Sequence, residues 1–150
     1  MHGLLDTHIV LRTAQALLLL IAASGCHIKL VSDYDEEFVK AASNTQKEIS
    51  TLLQNLQKPP GGYDVSYKAN ISTYNKIDAN LNNLAVLANS HEKNDETIAQ
   101  VNAIGEMFHD LEKRHQTGPV SPAYLEIKQK DINLVTSIII RTENDKKAGK

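Results

Sequence analysis

Beyond residue 33, apolar residues recur at alternating intervals of three and four positions in four successive stretches. Prolines, glycines or short polar residues separate the stretches. Because an α-helix completes a turn every 3.6 residues, this spacing places the apolar side chains of each stretch on one face. A helix with one apolar face must cover it against another element. The pattern therefore predicts an all-α fold, an antiparallel up-down bundle of about four helices.

Capping residues mark where these helices should begin. Asp33 followed by Glu36 has the spacing of a capping box, and Asn94 and Ser121 are expected to cap the third and fourth helices. Pro122 suits the first position of the fourth helix. The expected buried stripes are, in chain order, Phe38, Ala42, Thr45, Ile49, Leu52 and Leu56; Tyr67, Tyr74, Ile77, Leu81, Leu84 and Ala88; Thr97, Val101, Ile104, Phe108, Leu111 and His115; and Leu125, Ile132, Val135 and Ile139.

Residues 135–140 admit a second interpretation, because three consecutive isoleucines favour a strand. A single strand would leave its backbone groups without partners, and the sequence offers no second strand segment. We therefore expect helix here.

The amino-terminal residues differ from the rest. Residues 13–23 are apolar except for Thr13 and Gln15, and as a helix they would extend roughly 16 Å, about half of the hydrocarbon thickness of a bilayer. This length fits the core of a signal peptide better than a membrane span. Ser24, Gly25 and Cys26 follow, and this ending resembles the lipobox of bacterial lipoproteins.

The lipobox resemblance implies cleavage between Gly25 and Cys26 and lipidation of the Cys26 thiol. It divides the chain into a signal peptide at 1–25, a lipidated tether at 26–32 and a helical bundle at 33–150. His27 rather than Asp follows the cysteine, and in the resembled proteins this favours the outer membrane, facing the periplasm, with surface display left open. The alternative is an ordinary leader or buried helix in which Cys26 is incidental.

The sequence contains little that indicates catalysis. Glu106 and His109 have the Glu-x-x-His spacing of di-iron bundles, but the motif occurs once and both residues fall on the expected solvent face. His115, near the end of the third helix, is expected to cap its last carbonyls. No Gly-x-Ser-x-Gly motif is present. We predict no enzymatic activity, no cofactor and no metal.

The net charge and the tyrosines indicate what kind of partner the protein could bind and where. A formal net charge of −2 argues against nucleic acid. The acidic group at residues 33–37 fits a helix start, although it could also bind a cation. Tyr67 and Tyr74 are one heptad apart and are expected in the core. Tyr63, in the loop at 59–66, is the candidate for an exposed partner contact.

Several short motifs together resemble small helical lipoproteins of unassigned function found in proteobacteria. They are residues 32–35, Thr45 with Gln46, the tyrosine-bearing second helix, residues 94–98 and the Lys146-Lys147 ending. The resemblance implies an envelope location and a helical fold. We expect a lipid-anchored, nonenzymatic envelope protein that binds or organises another envelope component. The alternatives are an inhibitor or exclusion lipoprotein acting on an incoming enzyme, phage or plasmid system, and a periplasmic enzyme with an unrecognised site.

Overall fold

The computed structural model describes residues 32–148. Over this range it contains four α-helices and no strand: α1 (Glu36–Gln57), α2 (Tyr67–Asn89), α3 (Asp95–Thr117) and α4 (Pro122–Lys147). The all-α prediction is confirmed. Residues 135–140 are helical within α4, as expected from the lack of a strand partner.

Contacts between helix ends show that neighbouring helices run antiparallel. Asp35, just before α1, lies 3.0 Å from His91, just after α2. Tyr67 at the start of α2 donates a hydrogen bond of 2.8 Å to Glu112 near the end of α3. Gln57, which ends α1, donates to the carbonyl of Pro122, which begins α4. Each helix packs on its neighbours in the chain. The first and last helices, α1 and α4, also pack on each other, so that the four helices form a closed bundle.

The core follows the predicted stripes closely. Every predicted position in α1 and α3 is buried, and in α2 only Tyr67 is half-buried instead. The prediction is wrong in part for α4, where Val135 is half-buried and Thr136 and Glu143 are buried. Helical spacing from Ile132 and Ile139 places position 136 on the inner face. Thr136 tolerates burial because its hydroxyl donates to the carbonyl of Ile132 at 2.8 Å.

Of the three predicted helix caps, the structure contradicts the first, confirms the one at Ser121 and gives the side chain of Asn94 another role. Asp35, not Asp33, caps α1, and its carboxylate accepts a 3.0 Å bond from the Phe38 amide. Ser121 caps α4 as expected, through a bond from the Tyr124 amide. Asn94 occupies the cap position of α3, but its side chain makes no capping bond. The amide of Asn94 is used instead in a buried cluster described below.

Within residues 32–148, no helix combines the length and apolar character that crossing a bilayer requires.

Candidate binding site at the loop between α1 and α2

Two of the residues predicted from the sequence, Gly25 and Cys26, lie outside the described range. Cleavage and lipidation there remain predictions. The third, Tyr63, lies in the loop between α1 and α2, which we call the 59–66 loop.

A tight turn shapes the 59–66 loop. Pro59 and Pro60 follow the end of α1, and the amide of Tyr63 donates a 2.9 Å bond to the carbonyl of Pro60. Gly62, the third residue of this turn, has φ +77°, a left-handed conformation that strains residues with a Cβ. The turn directs the chain back toward the bundle at Tyr63.

Asn70 fixes Tyr63 and the loop against α2. The side-chain amide of Asn70 donates to the carbonyls of Asp64 (2.9 Å) and Ser66 (2.8 Å), and its oxygen accepts from the Tyr63 hydroxyl. Asn70 is buried, whereas Tyr63 is half-buried rather than the exposed residue that was expected. Asn70 was not among the candidate residues predicted from the sequence. Its position between Tyr67 and Tyr74 on the α2 stripe was the signal that it points inward.

Tyr63 lines a groove between α1 and α2 that has a volume of about 680 Å³. Uncharged polar side chains dominate the lining, chiefly Asn44, Asn55, Thr73, Asn80 and Asn83. Within the described part of the chain, the amides of Asn44, Asn55 and Asn83 make no hydrogen bond. These groups therefore have free hydrogen-bonding capacity directed at solvent or a ligand.

The groove lining contains two lysines and one glutamate, which gives it a formal net charge of +1. The Glu48 carboxylate accepts from Lys76 through one oxygen and from Asn80 through the other, both at 2.8 Å. Lys47 is the remaining charged residue of the lining. Opposite charges fixed against each other attract neither a polyanion nor a polycation strongly.

A second cleft, of about 440 Å³, lies on the other side of the 59–66 loop, against the turn that follows α3. Its apolar lining includes Leu56, Val65, Pro119 and Val120, and the Val65 side chain is 40% exposed. Val65 and Pro119 are exposed, whereas Leu56 is buried and Val120 is half-buried, so the cleft presents a small apolar surface.

His115 forms the inner wall of this cleft, and its predicted role as a helix cap is wrong. The imidazole is buried, with Nε2 2.8 Å from the carbonyl of Val65 and Nδ1 2.8 Å from the Tyr74 hydroxyl. Burial raises the pKa of Tyr74 well above its usual range, so this hydroxyl keeps its proton. In the neutral imidazole one nitrogen donates and the other accepts, so with Nε2 donating to the carbonyl, Nδ1 accepts from Tyr74. His115 thus ties the loop to the core because its ring reaches across to α2.

The Glu-x-x-His pair is on the outer face, as expected. Glu106 and His109 are both exposed, and His109 Nε2 lies 3.2 Å from an oxygen of Asp78. No group of three or more His, Cys, Asp or Glu residues within residues 32–148 is arranged to hold a metal ion.

The opposite end of the bundle contains a buried polar cluster that the sequence did not reveal. Lys146 forms an ion pair with Glu143 and donates 2.7 Å to the Asn94 oxygen, which also accepts from the Ser32 hydroxyl at 3.0 Å. Thr97 donates to Glu143 at 3.4 Å. All but Lys146 are buried as whole residues, and the Lys146 side chain is only 7% exposed. The cluster attaches residue 32 to α3 and α4.

Comparison with known proteins gives no further guide: no protein-family description, no curated protein and no solved structure matches the chain.

Proposed function

We propose that the protein is a lipid-anchored, nonenzymatic component of the bacterial cell envelope. In this proposal Cys26 carries the lipid, the bundle faces the periplasm from the outer membrane, and the surfaces beside the 59–66 loop bind another envelope component.

The observation that carries the proposal is the position of the 59–66 loop relative to Ser32. Ser32 is held at the end of the bundle where α1 begins, and the loop follows the end of α1. The 22 residues of α1 correspond to a helix of roughly 33 Å. From Cys26 to Ser32 a fully extended chain covers at most about 20 Å. A lipid on Cys26 would therefore keep the Ser32 end near the bilayer and leave the loop free for a partner.

The shape of the loop end favours binding over inhibition. Two concave surfaces, the groove and the cleft, border the same loop. The polar residues that would form an inhibitory tip already have partners within the fold: Tyr63 bonds to Asn70 of α2, and Asp64 accepts from the Ser66 amide at 2.8 Å. Concave surfaces are preferred ligand sites, and tyrosine is enriched among the residues that carry most of the energy of an interface.

The test is site-specific photocrosslinking in intact bacterial cells. A photoreactive phenylalanine replaces Tyr63 in one strain and Tyr124 in a control strain, since Tyr124 is also half-buried but lies on α4 and lines neither the groove nor the cleft. We expect a discrete crosslinked product at position 63 and none at position 124. Equal crosslinking at both positions, or none at 63, would argue against the loop surface.

The anchor is tested separately with Cys26→Ser. We expect the native protein in the membrane fraction with its leader removed, and the serine variant either soluble or held with an uncleaved leader and no lipid. An unmodified Cys26 by mass spectrometry of the mature native protein would refute lipidation, whatever the crosslinking shows.

A further inference from the structure

The groove between α1 and α2 has the chemistry of a saccharide site. We propose that it binds an uncharged or weakly charged glycan chain. This inference rests on the proposed function, because it assigns a ligand class to one of the two surfaces beside the 59–66 loop.

The first argument is the type of polar group. A sugar hydroxyl both donates and accepts hydrogen bonds, and so does a side-chain amide, which can contact two neighbouring hydroxyls at once. Asn44, Asn55 and Asn83 line the groove with amides that the described part of the fold leaves unbonded. Their hydrogen-bonding capacity is therefore available to a ligand at little cost to the fold.

The second argument is the placement of one carboxylate and one aromatic ring. Glu48 is held by Lys76 and Asn80, so its orientation is set before a ligand arrives. Tyr63 is held by its bond to Asn70 and packs partly against the core. A fixed ring can stack on the apolar face of a pyranose while the carboxylate accepts from its hydroxyls.

The third argument is extent and charge. Asn44 and Asn55 are eleven positions apart on α1, or roughly 16 Å, a length that suits a short run of sugar units rather than a single small molecule. The charges of Lys47, Lys76 and Glu48 sum to +1, which gives little attraction for phosphate chains or nucleic acid. Neutral, polyhydroxylated ligands match this lining best.

The experiment titrates the full-length protein, in detergent micelles, with chitotetraose, the neutral tetramer of N-acetylglucosamine, and follows backbone amides by NMR. We expect saturable shifts at groove residues of α1 and α2 with a millimolar Kd, as for an open, solvated site. A blocked, uncharged peptide of alanine and serine serves as the competing ligand class and should give no saturable shifts there.

Two variants locate the site. Tyr63→Ala should weaken binding about five- to tenfold, the value of an aromatic contact. Because Tyr63 also holds the loop, the double variant Asn44→Ala/Asn83→Ala is the decisive one: both residues are exposed and should be replaceable without unfolding. The matched control is Asn75→Ala/Asn102→Ala, which removes two exposed asparagines outside the groove.

Loss of saccharide binding in the groove variant and its retention in the control variant would support the proposal. Absence of saturable shifts up to about 20 mM, shifts elsewhere, equal binding by both double variants, or groove binding of the peptide instead would overturn it. This titration depends neither on lipidation nor on a partner protein in cells, so a negative result here leaves the crosslinking test of the proposed function independent.

Discussion

The buried ion pair between Glu143 and Lys146 allows a quantitative test of how the ends of the bundle are held. The perturbation is Lys146→Met, which keeps a long unbranched apolar side chain while removing the ammonium group. Glu143 is 1% exposed. The contacts that Thr97 and the Asp35 amide make to the Glu143 oxygens are long, at 3.4 Å and 3.3 Å.

The expected magnitude follows from this geometry. Removing one partner of a buried ion pair leaves an uncompensated charge and costs about 3–5 kcal/mol. The variant also removes the 2.7 Å donor to the Asn94 oxygen, which still accepts from the Ser32 hydroxyl. At about 4 °C per kcal/mol for a domain of this size, Tm should fall by roughly 12–20 °C.

The assay is urea and thermal unfolding of the purified protein followed by circular dichroism. Lys130→Met is the matched control, because Lys130 forms an ion pair with Glu126 at 2.7 Å on the exposed face of the same helix. Its Tm should not change measurably. The double variant Glu143→Leu/Lys146→Met should recover at least about 2 kcal/mol of the loss, since no unpaired charge remains. A Lys146→Met variant as stable as the control, or a double variant less stable than the single, would refute the reasoning.

Two further predictions concern the interface of α2 and α3. Tyr74→Phe should cost about 1–3 kcal/mol in urea unfolding, because Nδ1 of buried His115 loses its donor; Tyr124→Phe, whose hydroxyl bonds at the surface, is the control, and equal losses in the two variants would contradict the assignment. Burial, and secondarily the charge of Glu112, raise the pKa of Asp78 above 3.8. A raised folded-state pKa means that the carboxyl favours the native state below the unfolded value and loses this contribution as pH rises through the folded one. Asp78→Asn should therefore raise Tm at about pH 7 and have no such benefit near pH 3; a lower Tm at neutral pH would count against this interpretation.

Periodicity in the sequence was enough for the fold because each helix has a continuous apolar stripe. Ile49, Phe108 and Ile132, for example, each lie on the apolar stripe of their own helix and are buried in the structure. Short turns then restrict neighbouring helices to antiparallel packing. The stripe was misread where polar residues continue it, at Thr136 and Glu143, because a hydrophobic pattern does not identify polar residues that are buried together with a hydrogen-bond or ion-pair partner.

The candidate site, like the fold, could be predicted from the sequence only in part. The sequence indicated Tyr63 and the 59–66 loop, since prolines and glycines mark a break between helices. It could not indicate Asn70 as the residue holding Tyr63, nor the groove residues Asn44 and Asn83, which come from two helices and line one groove only after packing. Nor could it show that His115 bonds to Val65, fifty residues away.

What the sequence determined by itself is therefore local: four amphipathic helices, their approximate ends and the breaks between them. These depend on the identities of residues within one or two turns of one another. Only the tertiary structure decided which polar side chains meet, because a hydrogen bond or ion pair between helices depends on their relative rotation and offset. The buried cluster around Glu143, the fixed position of Tyr63 and the polar groove all arise at that level.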